Sequence, residues 1–292
     1  MWIFFSFLAA ALETVRDVLG KKSSQKTDEY ITAFGIQFFG MLLLIPIILI
    51  VGIPEVKPLF WRALVGAAIT IPLGNILYMR AVKLSPISSV VPMLAFNPFF
   101  TAILAFFFEG RLPGLLGWIG LVVVGVGLYS LRLSQDVLRQ GWFAPFSKIK
   151  DEPGMMAMLG VALVWSVGAN IGKILVSNSS PLFSTFVGLA VGSITLFVIL
   201  ALKVKFKLKP TIGLVKDNLL DLGVLGVGAS LSNLAMNMAL SQGFTPYVIA
   251  IKRTNMVFSS IASKIFFKEK LTKNKILGIL LMFSGLVLII LS

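Results

Sequence analysis

A chain of 292 residues that is 57% hydrophobic and 13% charged, with a mean hydropathy of +0.95, lies outside the range of water-soluble domains and belongs in lipid. With neither cysteine nor histidine, it has no route to disulfides, zinc or haem ligation by those residues, thiol nucleophiles or histidine acid–base chemistry. The net charge of +14 reads as topological charge rather than a nucleic-acid footprint, because Lys and Arg stand between apolar runs and not along one face or tail; neither a nucleic-acid partner nor a cofactor or metal is expected.

A membrane helix needs about 20 apolar residues, because its backbone must satisfy its own hydrogen bonds across the hydrocarbon. On that measure the sequence predicts an all-α integral membrane protein with ten helices, near 2–20, 31–53, 61–79, 86–108, 113–131, 154–176, 181–202, 219–240, 245–267 and 274–291. The first of these lacks a basic start and a cleavage motif and carries Glu13, Arg16 and Asp17, so it is read as a span rather than a signal peptide. The apolar runs Ile174–Leu202 and Leu222–Ile251 are too long for one crossing, and the turn formers at Ser177–Pro181 and Ser241–Pro246 divide each into parts of two helices. The connection after the fifth helix holds Trp142, Phe143 and Phe146 among Lys148 and Lys150, which suits either an interfacial stretch or a plain loop.

The chain repeats itself. Ser85-Pro86 opens the fourth helix and Thr245-Pro246 the ninth, at an offset of 160, and the same offset lays Phe106-Phe107-Glu109 on Phe266-Phe267-Glu269. Gly120 and Gly127-Leu128 match Gly278 and Gly285-Leu286 at an offset of 158. The domains expected are a first five-helix repeat over 1–131, a connecting loop over 132–153 and a second five-helix repeat over 154–292. An odd number of spans per repeat sends the second half into the membrane from the opposite side, so the repeats are inverted, the architecture that permits alternating access.

The stretch from Leu84 to Leu112 and its echo from Phe244 to Ile289 resemble the two copies of an EamA domain, the repeat of the drug/metabolite transporter superfamily: a Pro-led fourth helix, a helix-ending Glu and a Gly-bearing fifth helix. The resemblance implies a secondary active transporter, most simply an exporter, of small organic metabolites in the cell (inner) membrane, working by alternating access around a site between the repeats. A departure from the pattern is Glu109-Gly110-Arg111-Leu112 in the first copy against Glu269-Lys270-Leu271 in the second. Lys and Arg number 19 in the odd-numbered connections and 3 in the even ones, which puts both termini outside by the positive-inside rule, whereas the resemblance implies both inside.

Ionisable groups inside spans are costly and mark functional candidates. Lys252 and Arg253 lie about 10 Å into the ninth helix and lead into Thr254 and Asn255, a run that resembles a polar patch in one subset of EamA proteins. A cavity-lining role and an ion pair to Glu13 or Asp17 are both open readings. Glu13, Arg16 and Asp17 share one face of the first helix at i, i+3 and i+4, and Asp17 corresponds to Asn170 of the sixth helix, three residues before Lys173. Two carboxylates on one low-dielectric face resist simultaneous ionisation, so Glu13 is the expected group for proton or ion coupling, with satisfaction by Arg16 as the alternative. Asn170 and Lys252 are expected to meet Glu13 where helices 1, 6 and 9 converge. Asn75 and Tyr78 on the third helix and Asn233 and Asn237 on the eighth complete the substrate-binding candidates; interhelical hydrogen bonding is their plainer role. Gly188 and Gly192 form a small-xxx-small motif, read as close helix packing or a homodimer face. Lys203, Lys205, Lys207 and Lys209 fit contact with anionic membrane lipids.

Other motifs carry less. Gly168–Lys173 has three residues between its glycines and no following Ser or Thr, so it fails as a phosphate-binding loop. A membrane enzyme acting on a lipid-linked substrate, the alternative function, would need clustered acids for metal binding, and the chain offers Asp217 and Asp221 alone, better placed as a helix start.

Overall fold

The computed structural model describes residues 1–23, 29–85, 90–133, 141–142, 152–203, 218–267 and 272–292, and every regular element among them is helical. In chain order these are α1 (Trp2–Ser23), α2 (Glu29–Val51), α3 (Pro58–Leu84), a 3₁₀ segment (Val91–Phe96) leading into α4 (Asn97–Glu109), α5 (Leu115–Arg132), α6 (Pro153–Ser177), α7 (Pro181–Lys203), α8 (Leu219–Gln242), α9a (Thr245–Lys252), α9b (Asn255–Phe267) and α10 (Lys273–Ile290). Eight of the helical stretches are long and apolar enough to cross a membrane, among the described residues. Their outward surface is correspondingly greasy: Leu49, Ile50, Phe107, Leu115 and Leu220 are all at least 75% exposed, which only a hydrocarbon surround tolerates.

Two expectations change in detail. The ninth helix, predicted as one span, is interrupted at Arg253-Thr254. Thr254 donates both its N–H (2.9 Å) and its hydroxyl (2.8 Å) to the Ile251 carbonyl, and Met256 N bonds back only three residues to Arg253, so the i→i−4 ladder lapses for a turn. The fourth helix passes through a 3₁₀ segment for a different reason. Pro98 has no N–H to give Leu94, whose carbonyl is instead taken by Asn97 N, three residues on. At the repeat offset of 160, Val91–Phe96 corresponds to 251–256, so both interruptions fall at equivalent places in the two halves.

The ends of the helices follow local chemistry. Gly110 closes α4 with φ +70°, its N–H returning to Phe106 O. Pro181 opens α7 behind Ser180, whose hydroxyl accepts from Phe183 N at 3.2 Å, and Thr272 caps α10 by accepting from Lys275 N. The predicted third helix, 61–79, runs on to Leu84 because Arg80 and Lys83 are tolerated where a helix C-terminus meets the interface.

By internal contacts the chain divides into two compact units, Met1–Pro72 with Ile171–Gly243 and Leu73–Asn170 with Phe244–Ser292. Each unit draws on both halves of the sequence, α1 and α2 with α7 and α8 in the first and α4 and α5 with α9a, α9b and α10 in the second, while α3 and α6 contribute one end to each. In the first unit α8 is the hub. Ser232 Oγ donates to Ala9 O of α1 at 3.0 Å, Ser230 Oγ to Gly40 O of α2 at 2.8 Å, and Asn237 Nδ2 to Thr185 Oγ1 of α7 at 2.9 Å. A Cβ on Gly226 would lie 2.8 Å from Gly40 N, so α2 and α8 touch backbone to backbone. Lipid tails give helices no hydrophobic reason to associate, and small residues with interhelical hydrogen bonds take over that role.

In the second unit α5 and α10 form a glycine seam. A Cβ at Gly120 would stand 2.8 Å from Gly285 O, and one at Gly127 would stand 2.8 Å from Gly278 O, with the converse contacts at 2.7 Å each. These four glycines are the repeat-equivalent pairs, and pairing 120 with 285 and 127 with 278 requires the two helices to run antiparallel. The seam is thus the inversion of the repeats made physical.

Candidate functional site

A dense buried polar network among the described residues lies in the second unit, where α4, α6 and the break in α9 meet. Asn97 Nδ2 donates to Ala162 O (3.0 Å) and to Ser166 Oγ (2.8 Å), while its Oδ1 accepts from Arg253 Nη2 at 2.6 Å. Ser166 Oγ lies within donating distance of Asn97 O (3.0 Å) and Ala162 O (2.7 Å). One turn along, Asn170 Nδ2 donates to Ser166 O (2.9 Å) and Thr101 O (3.4 Å). Asn97, Thr101, Ser166 and Asn170 are all buried, and Asn170 Oδ1 is buried with no hydrogen-bond partner. An acceptor left so in a low-dielectric interior costs roughly 1–3 kcal/mol, which a donor on a bound water or solute would recover.

The sequence candidates divide between the units. Arg253 and Asn170 sit in the network, with half-buried Lys252 at the end of α9a and buried Asn255 opening α9b. Tyr78 stacks on Trp165 at 5.8 Å, over Gly74, and Asn75 is half-buried on the same helix. In the first unit Glu13 Oε1 and Arg16 Nη2 form an ion pair at 3.3 Å within α1. Lys173 Nζ donates to Leu240 O (2.5 Å) and Gly243 O (3.0 Å), placing its charge on the carbonyl end of α8, where the helix dipole favours a cation. Asn237 bridges to α7 through Thr185, and Asn233 is half-buried one turn before it. The Asp17 side chain lies outside the described residues, as do Phe143, Phe146, Lys148, Lys150, Lys205, Lys207, Lys209, Asp217 and Glu269. Asp221 stands in the first turn of α8, the electropositive end.

The structure brings Asn97, Thr101 and Ser166 to the network, which the sequence reading passed over. The signal was Asn97-Pro98 inside an apolar run, a pair that interrupts a helix and presents a short amide at the interruption. Glu109, by contrast, holds the start of α9a: its Oε1 accepts from Thr245 N at 3.1 Å, Arg111 approaches Oε2 at 3.6 Å, and the same guanidinium lies 4.3 Å over the Phe244 ring.

On the far side of α4 a cavity of about 300 Å³ is lined by Phe96, Phe99, Leu121, Val122 and Tyr129 and bordered by Trp142. Tyr129 donates its hydroxyl to Trp142 O at 2.8 Å, with the rings edge to face.

Comparison with known proteins fits this architecture. A search of the curated proteins gives no match. Twenty-nine chains of solved structures match; one crystal structure of a protein shares 15% identity, covers 99% of this chain and 97% of its own, and superposes with a TM-score of 0.78, so the fold is shared. The model of the EamA-like transporter family matches twice, over residues 1–133 and 152–291, once on each side of the connection after α5. Eight membrane-length helices among the described residues, an inverted glycine seam and a twofold family match over nearly the whole sequence establish that this chain belongs to the EamA-like transporter family, a multi-pass membrane transporter.

Proposed function

We propose that this protein is a secondary active transporter, working as an exporter, of small organic metabolites that carry an anionic group. It alternates access around a site whose recognition groups include Arg253, Asn97 and Asn170, with Lys252 and Asn255 beside them. The observation that carries the reading is the pair of helix interruptions at repeat-equivalent positions, Val91–Phe96 and Arg253-Thr254, joined by the 2.6 Å hydrogen bond from Arg253 to Asn97. Interrupted helices near the middle of a membrane protein free backbone polar groups and aim half-helix ends at a ligand, and paired interruptions in inverted repeats are the usual setting of a transport site. A guanidinium there supplies the charge and geometry for a carboxylate or phosphate. Asn170 Oδ1 supplies an acceptor for a donor group on the same solute. Coupling to protons or another ion is assigned to Glu13 on α1. The two repeats, 1–131 and 154–292, take on one another's conformation as access alternates, each contributing segments to both compact units. The alternative of an enzyme acting on lipid-linked substrates is not favoured by membership of a transporter family.

The test is counterflow in proteoliposomes against a panel of carboxylates, phosphates, zwitterions and cations, with a thermal shift in detergent on the same panel. Anions that stabilise and exchange through the wild type, and lose both effects in Arg253→Ala, support the reading. Selective exchange of cations, or anion exchange equal in wild type and Arg253→Ala, would overturn it.

A further inference from the structure

The polypeptide passes between the two compact units at three places, Pro72–Leu73, Asn170–Ile171 and Gly243–Phe244. At two of them the local sequence weakens the helix that crosses, and at the third no helix crosses. In α3, Pro72 has no N–H for the Ala68 carbonyl, and Thr70 Oγ1 donates to Gly66 O at 3.0 Å, drawing a second carbonyl of the same stretch toward a side chain. In α6 the amide of Asn170 does the same to Ser166 O at 2.9 Å, between Gly168 and Gly172, residues that leave a helix easiest to bend. At the third place no helix crosses at all: Gly243 (φ −99°, ψ 164°) and Phe244 (φ −74°, ψ 126°) are extended between the end of α8 and the start of α9a.

The third crossing is also bounded on both sides. On its first-unit side Lys173 holds Leu240 O and Gly243 O; on its second-unit side Glu109 accepts Thr245 N–H. A cation on the carbonyl end and a carboxylate on the amide end are the arrangement the two helix dipoles favour. Both helix ends are thereby held to their own unit, with the two extended residues Gly243 and Phe244 between them.

We propose that these three points are the hinges on which the two units move, and that Lys173 and Glu109 are positioning residues that keep the third hinge two residues long. Hinges of this kind are a few positions that absorb backbone change while the packed bodies stay intact. The inference concerns motion and holds whichever solute is carried.

Two substitutions stiffen the hinges. Pro72→Ala restores the missing N–H. Gly172→Ala removes a flexible residue at no steric cost, since its Cβ would meet only Leu240 Cδ1 at an ordinary 3.7 Å. The readout is substrate-free: nitroxides at Glu55→Cys in the first unit and Leu115→Cys in the second, both at exposed positions, in full-length protein in nanodiscs. Pulsed dipolar distances are expected to be broad or multiple in the parent and to narrow to less than about half that width in the doubly stiffened variant. Amide exchange over 171–176 is expected to slow about fivefold in Gly172→Ala. In Lys173→Met, exchange over 240–246 should rise about tenfold as the end of α8 frays. Unchanged distances together with unchanged exchange in stiffened protein that still melts at or above the parent temperature would overturn the proposal. Should Pro72→Ala fail to fold, Gly172→Ala alone carries the test. Failure to find any transported solute would count against the function proposed above and leave these measurements standing.

Discussion

Asn97→Ala separates the polar network from its helices without adding bulk. The Asn97 side chain makes three hydrogen bonds, to Ala162 O, to Ser166 Oγ and from Arg253. Interhelical hydrogen bonds inside membranes contribute on average about 0.6 kcal/mol each, so the three together amount to about 2 kcal/mol. Figures from water-soluble proteins, about 1 kcal/mol for a neutral bond and 1.5–3 for one to a charge, would give about 4 kcal/mol. The membrane value is the better guide, because the separated helices still find partners for these groups in lipid. Ser166 keeps its contacts with backbone carbonyls, which limits the loss further. Unfolding free energy, measured in bicelles by steric trapping, should therefore fall by about 2 kcal/mol. The apparent affinity for an anionic solute should fall about tenfold as Arg253 loses the acceptor that aims it, roughly 1.4 kcal/mol. Asn97→Asp keeps an acceptor for Arg253 and should retain the stability of that contact while repelling anions more strongly than Asn97→Ala does. Wild-type stability and wild-type affinity in Asn97→Ala would refute the reasoning, since Arg253 would then be held by something else.

Gly127→Ala drives a Cβ to 2.7 Å from Met282 N across the seam and should destabilise by about 1–3 kcal/mol, whereas Gly188→Ala, with open space at its Cβ, should be neutral or slightly stabilising; thermal unfolding in detergent compares the two. Glu13→Gln removes a charged partner of Arg16 and should abolish uptake driven by a pH gradient in proteoliposomes, while counterflow without a gradient persists; an unchanged drive would leave Glu13 a structural role. Single cysteines at Ser24 and Asn178 decide the orientation: labelling from outside at 178 only agrees with the charge distribution along the chain, and labelling at 24 only reverses it.

Legibility in the sequence followed the range of the physics. The ten apolar segments, their turn-marked separations and the repeat offsets near 160 are local or periodic properties, because crossing lipid imposes length and hydropathy on each helix separately. Ser85-Pro86 with Thr245-Pro246, and Gly120 with Gly278, therefore pointed to inverted five-helix repeats before any contact was seen, and the seam of Gly120 on Gly285 realises them. The candidate site was legible only in part. Arg253 and Asn170 stood out because charge and amide are expensive in a span. Thr101 and Ser166 did not, since nothing local says which face of an apolar helix meets another, and Asn97 was marked only by Pro98 beside it.

The sequence by itself determined that this chain lives in a membrane, how many helices it spends there and that its halves are inverted copies, because each follows from transfer energies and spacing along the chain. Tertiary structure alone decided which polar groups are partners. Lys173 caps α8, Glu109 holds α9a and Asn97 receives Arg253. It also decided that the ninth helix breaks at Arg253-Thr254, where no proline or glycine announces it. Hydrogen bonds reach about 3 Å, here between groups more than 60 residues apart in the chain, and only packing brings such residues together.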